Sequence, residues 1–179
     1  MVIEPMSDRD CRTLLARTSF GRLGCSVDNQ PYVVPVHVDY YDGFLYGFSM
    51  LGQKIEWMRI NPLVCVEFDE LVTRRRWETV VVFGVYEELT EKPDNVDSRK
   101  EAQRLFLRRP VWWEPATVPL AGRPPRSPVL FRILIDHMTG RRARLEADET
   151  PNLAGRKSRS VRSRWRGRAA RRIHPHATG

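Results

Sequence analysis

The sequence predicts a mainly β (α+β) fold: a six-stranded antiparallel barrel with short helices at its rim. Three observations predict it. Six stretches are rich in Val, Ile, Phe and Tyr, and most alternate with the two-residue period of a half-buried strand. Asp, Asn and Gly signals link several of them through short connections, which suits antiparallel neighbours. No strand–helix–strand rhythm recurs along the chain, so a doubly wound parallel sheet is not expected.

The elements follow in order. Ser7-Asp8-Arg9-Asp10 starts a helix, with Ser7 as cap and acids in the first turn; Cys11, Leu14, Leu15 and Thr18 share one face of it. Ser19-Phe20-Gly21 ends that helix, and Phe20 to Val27 alternates as a strand. Asp28-Asn29-Gln30 turns the chain into a second strand, Tyr32 to Tyr40, in which Val34, Val36, Val38 and Tyr40 oppose Val33, Pro35, His37 and Asp39. Asp42-Gly43 marks a tight hairpin, because both central residues of a type I′ turn need positive φ. Phe44 to Phe48 returns antiparallel, and a short helix from Gln53-Lys54 to Asn61-Pro62 directs Ile55, Met58 and Trp57 inward. Leu63 to Leu71 is the next strand, Val72 to Arg76 a polar loop, and Trp77 to Leu89 a long strand in which Gly84 marks a bulge or bend. A helix runs from Asp97 or Ser98 through Leu107. The proline-rich stretch from Val111 to Arg126, with Trp112 and Trp113, is irregular. Val129 to Ile135 is the last strand, and Thr139-Gly140-Arg141-Arg142 turns out of it.

Composition narrows the function classes. The chain has 179 residues, 41% of them hydrophobic, which suits one domain with a real core. No apolar run reaches the ~18–20 residues a membrane helix needs, and MVIEPMSDRD does not resemble a signal peptide, so a cytoplasmic protein is expected. The net charge is +8, yet nine of the 30 Lys and Arg residues lie after Ala154, where there is no Asp or Glu; the remaining 21 face 22 acids, so the body is close to neutral. The expected division is a folded domain over residues 1–148 and a basic tail over 149–179. That tail is either a solvated extension or a weak, nonspecific nucleic-acid contact. Cys11, Cys25 and Cys65 show no metal spacing and read as small core or near-core residues, so no metal site is expected. Nucleophile-elbow, Walker and Rossmann glycine patterns are all missing from the sequence.

The informative stretch is QPYVVPVHVDYYDGFLYGFSMLGQKIEWMRINP, residues 30–62. A helix opening at Gln53-Lys54 presents unpaired backbone N–H groups, and Ser49, Gln53 and Lys54 add a hydroxyl, an amide and a charge there; a phosphate is the natural occupant. Pro35 cannot donate to a ladder, so its strand has an interrupted or edge position against which a flat ligand can lie. Against this stands the simpler reading, in which Lys54 is a surface lysine and Val33 to Val36 are plain β core.

The segments from Pro31 to Glu70, then WETVVVFGVYEEL, RRPVWWEPA and PVLFRILIDHMTGRRA, resemble the pyridoxamine 5′-phosphate oxidase-like family of FMN-binding split β-barrels, closest to its nitroimidazole-reductase-like branch. The resemblance runs from Met6 to Ala143. It implies a homodimeric flavoprotein with FMN between subunits, transferring hydride or two electrons from a reduced nicotinamide or F420-type deazaflavin to a small flat acceptor. Lys54 holds the place of the phosphate-binding lysine, whereas Gln53 stands where relatives often have arginine, which weakens phosphate affinity unless Arg59 or another chain's arginine compensates. Val33, Val34, Pro35 and Val36 would line the isoalloxazine, Phe48 and Ser49 the ribityl-phosphate, and Trp77 and Thr79 the opposite wall. Trp112 and Trp113 would border the substrate side or form a dimer arm. The histidine that nitroimidazole reductases place near Tyr46-Gly47-Phe48 is missing. An F420-type deazaflavin or haem is the alternative to FMN as cofactor, and the same barrel could instead store flavin or haem without catalysis, with His37 and His137 as candidate haem ligands that no motif supports.

Overall fold

A computed structural model describes residues 1–107 and 128–145. The expected division at 148/149, the basic tail, and Trp112 and Trp113 lie outside the described residues. The strands are β1 (Val2–Pro5), β2 (Phe20–Val27), β3 (Gln30–Tyr41), β4 (Phe44–Ser49), β5 (Leu63–Thr73), β6 (Arg76–Glu88) and β7 (Val129–Arg144); the helices are α1 (Asp8–Arg17), α2 (Gln53–Ile60) and α3 (Val96–Phe106). A single 3₁₀ turn, Pro93–Asn95, leads into α3.

All pairings are antiparallel. The order β7-β4-β3-β2-β5-β6 closes on itself because β6 also pairs with β7, and β1 lies along the far end of β7. Six strands thus form the ring expected from the sequence, and β1 is a seventh that four residues with a terminal proline gave no periodicity to reveal. Alternate residues fill the interior: Leu23, Val38, Val66, Phe68, Val80, Val82, Phe131 and Ile133 are essentially inaccessible. Cys11, Leu14 and Leu15 of α1 and Ile55 and Met58 of α2 belong to the same cluster, so the two helices cover the barrel core with their apolar faces. Ser7 caps α1 by accepting from the Asp10 N–H.

The turns behave as their residues dictate. Asp42 (φ 46°) and Gly43 (φ 80°) make the type I′ turn, and Asp28 and Asn29 also take positive φ. The bulge at Gly84 is present, as a register shift between Phe83 and Gly84 against β7.

Two expectations are corrected. The loop placed at Val72 to Arg76 shrinks to Arg74-Arg75, because Thr73 pairs with Arg76. Thr139-Gly140-Arg141-Arg142 is not a turn: β7 continues to Arg144, with Gly140 opposite Val80. The reason is a close approach. A Cβ on Gly140 would stand 2.6 Å from Cys11 Sγ, so this glycine lets α1 sit directly on the strand. Cys11 and Cys25 are buried and Cys65 is half-buried, all as free thiols, as near-core residues should be. Among the described residues no helix is long and apolar enough to cross a membrane.

Candidate functional site

The barrel is open along one strand edge. Val38 donates its N–H to the Ser19 carbonyl at 2.9 Å, and this fixes the alternation of the β2–β3 ladder. Val34 and Val36 therefore exchange hydrogen bonds with β2, while the backbone groups of Val33, Pro35 and His37 face the other way. On that side β4 pairs with β3 only over Val38–Tyr41, then diverges so that Phe48 and Ser49 pair with Leu130 and Val129 of β7. Among the described residues nothing pairs with the first half of β3 along this edge. Pro35 costs no ladder bond because its nitrogen points into the gap. The side chains of Val33 and Pro35 are exposed, Val34 is half-buried, and Val36 faces the core.

At the same gap β4 gives way to α2. Ser49 is buried and its hydroxyl donates to the Met50 carbonyl at 2.9 Å. Gly52 precedes α2 with no side-chain cap, and its carbonyl accepts from the N–H groups of Ile55 and Glu56. The N–H groups of Gln53 and Lys54, one residue further out, have no backbone partner among the described residues. Gln53 is exposed. Lys54 is half-buried, and burial alone pulls its pKa below the ordinary lysine value of 10.5. Among the described residues no carboxylate pairs with it. Tyr32 and Trp57 meet with ring centroids 5.4 Å apart, and Asn61 donates to the Ser26 carbonyl at 2.9 Å, so α2 lies across the start of β3. The open edge, Phe48-Ser49 and Gln53-Lys54 thus meet at one rim. Phe48 also packs edge-on against Phe106 of α3 at 5.0 Å.

The other expected wall lies elsewhere. Ser49 is opposite Val129, whereas Trp77 is opposite Ala143. Fourteen residues of β7 separate those positions, roughly 45 Å of strand. Thr79 donates to Glu67 (2.9 Å) and to the Phe68 carbonyl (3.1 Å), and Trp77 borders a cavity of about 340 Å³ with Arg17, Arg76 and Arg142. One protomer does not bring Trp77 and Thr79 to Lys54.

One expected compensation fails, and one feature escaped the sequence. Arg59, one turn beyond Lys54, is held by Glu88 through a pair of hydrogen bonds at 2.7 and 2.8 Å, and Glu88 is lowered in pKa by it. The outer face of the barrel is also apolar: Val33, Gly24, Cys65, Phe83 and His137 form one cross-strand row, beside exposed Leu63 and Val85. A groove of about 360 Å³ runs along it. The available signal was that β5 and β6 carry apolar residues on both faces. His137 stacks on Phe83 at 4.6 Å and bonds Asp136, and His37 bonds Ser19. The two histidines lie two strand steps apart in the ring, and His137 is six residues further along β7 than Phe131, whose β4 partner Gly47 stands opposite Val38; that offset, roughly 20 Å of strand, is too far to share one haem iron within a protomer. Among the described residues no cluster of His, Cys, Asp or Glu could hold a metal.

An antiparallel ring opened beside a helix-borne cation defines a split β-barrel with a candidate anion site at the split. The family model for pyridoxamine 5′-phosphate oxidase matches residues 7–142, and the chain belongs to that family. It is 38% identical over 146 residues to the uncharacterized protein RA0666 of Rhizobium meliloti (strain 1021), covering 80% of this chain and 97% of that one. A crystal structure of a FAD-binding protein from Mesorhizobium loti is 41% identical, covers 81% of this chain and 99% of its own, and superposes with a TM-score of 0.68. A 5-nitroimidazole antibiotic resistance protein of Bacteroides thetaiotaomicron shares the fold at 20% identity over 79% of this chain and 89% of its own, TM-score 0.56.

Proposed function

We propose that this protein is a flavin-dependent oxidoreductase that works as a homodimer. The observation that carries the reading is Lys54: a half-buried cation at a helix start with no ion pair among the described residues, beside a strand edge along which no described strand pairs with Val33 or Pro35. Ser49, the amides of Gln53 and Lys54, and the ammonium of Lys54 would hold the 5′-phosphate. The backbone of Val33 to Val36 would meet the ring, and Phe48 would flank the ribityl chain. FMN satisfies these contacts. The family membership supports a flavin, and the FAD-binding Mesorhizobium loti protein favours FAD as a second form carrying the same ring, chain and proximal phosphate. The bound flavin supplies hydride or two-electron transfer. The protein's residues bind and orient it and exclude water, and the acceptor is a small flat molecule. A reduced nicotinamide or deazaflavin donor would place the reaction in the cytoplasm. A protein that only stores flavin would share every binding residue and differ in turnover. The purified protein is expected to be yellow, absorbing near ~370 and ~450 nm; an intense Soret band instead would replace the reading with haem storage.

The dimer is supported by the apolar outer face, which a second copy would cover, and by the separation of Trp77 and Thr79 from Lys54. In this arrangement the partner's hairpin brings its Trp77 to the flavin held by Lys54. Mixing Lys54→Ala and Trp77→Ala proteins after subunit exchange is therefore expected to restore some intact sites, since one site of each heterodimer carries neither lesion. Mixtures no more active than their components would show that each protomer builds its site alone.

Flavin affinity is also expected to depend on pH. Lys54 has a lowered pKa in the free protein, so its charge is lost as pH rises through a window beginning below 10.5. Affinity should hold below that window and fall across it. Apo-protein stability should move the other way, because the unfolded chain binds the extra proton there and folding gains as pH rises. Flavin titrations and thermal melts across this range, with Lys54→Arg as control, check both signs.

A further inference from the structure

We propose that Gln53 selects a flavin dinucleotide over the mononucleotide; the inference rests on the flavin reading above. Among the described residues, the turn and first helical residues from Ser49 to Glu56 carry Lys54 as their single cation. Arg59 does not supply a second, because Glu88 holds its guanidinium by two hydrogen bonds on the side of β6. Gln53 offers an amide, which donates a hydrogen bond but brings no charge.

The phosphate of a mononucleotide is a monoester and carries roughly −1.5 to −2 at neutral pH. In a dinucleotide the same phosphate is an ester on one side and an anhydride to the second phosphate on the other, and itself carries about one negative charge. Lys54 and the partial positive charge of the helix terminus, roughly half a unit, match the second case. A dianion at this half-buried rim would keep charge that no described group there neutralises, and desolvating it is costly. The exit fits as well. Among the described residues a Cβ on Gly52 would meet nothing within 4 Å, so the chain beside the phosphate leaves room there for the second phosphate.

The test is a side-by-side titration of flavin-stripped, full-length protein with FMN and with FAD. The wild type is expected to bind FAD about tenfold more tightly than FMN. Gln53→Arg should shrink or invert that ratio by about tenfold, chiefly by tightening FMN. FMN affinity alone should improve as pH falls through about 6, where the monoester gains its proton. Equal or tighter binding of FMN by the wild type, or a ratio unmoved by Gln53→Arg, overturns the proposal while leaving the flavin reading intact. Binding of neither flavin overturns the flavin reading and this proposal with it.

Discussion

Lys54→Ala is expected to weaken flavin binding about ten- to a hundredfold. Among the described residues the substitution removes the one full positive charge of the turn and first helical residues, and with it a charge-assisted hydrogen bond worth roughly 1.5–3 kcal/mol. The helix amides and Ser49 remain, so some affinity should survive. The fold should be unaffected or slightly stabilised. Lys54 makes no ion pair among the described residues, and burial, which lowers its pKa, holds the charge at a cost. That combination separates a ligand-binding lysine from a structural one, whose removal would lower stability and leave the ligand indifferent. Fluorescence titration of the stripped protein reads the first quantity and thermal unfolding the second. Unchanged affinity would remove the phosphate assignment, and Lys54→Arg should retain most of it.

The second large effect is on the barrel itself. Gly84→Ala is expected to destabilise the protein by about 3 kcal/mol. A Cβ there would stand 2.2 Å from the Leu134 carbonyl oxygen and 2.8 Å from the side chain of Ile133. The obstacle is backbone of the paired strand, at the register shift where β6 bends along β7, so no rotamer change relieves it. For a chain of this length such a loss lowers the melting temperature by roughly 6–12 °C. Gly52→Ala is the control. Gly52 has an extended backbone (φ 173°) that any residue adopts, and its Cβ would point into open space. Its stability should barely change. If Gly84→Ala melted with the wild type, the bend would not depend on a missing side chain.

Local chemistry made much of the molecule readable. The Asp42-Gly43 hairpin, the Ser7 cap, the β2 boundaries and the Gly84 irregularity each depend on a few adjacent residues whose conformational limits are strict. The rim around Lys54 was readable for the same reason: strand, turn and helix are consecutive, so Ser49, Gln53 and Lys54 are neighbours by chain connectivity. Gly140 shows where that reasoning stops. A glycine beside two arginines carries the signature of a turn, yet it serves a contact with Cys11, which is more than a hundred residues away in sequence.

By itself, then, the sequence determined that this is an antiparallel β protein with a helix opening on Gln53-Lys54 after its central hairpin. Periodicity and turn chemistry act over a few residues and survive without any partner. Only the tertiary structure decided that β4 leaves β3 at Val38 to open the strand edge, that Arg59 is held by Glu88 and unavailable to a phosphate, and that Trp77 stands at the far end of β7 from Lys54. Each of those is a pairing between distant segments, set by strand register and by which carboxylate lies within reach once the ring has closed. A one-dimensional pattern carries neither.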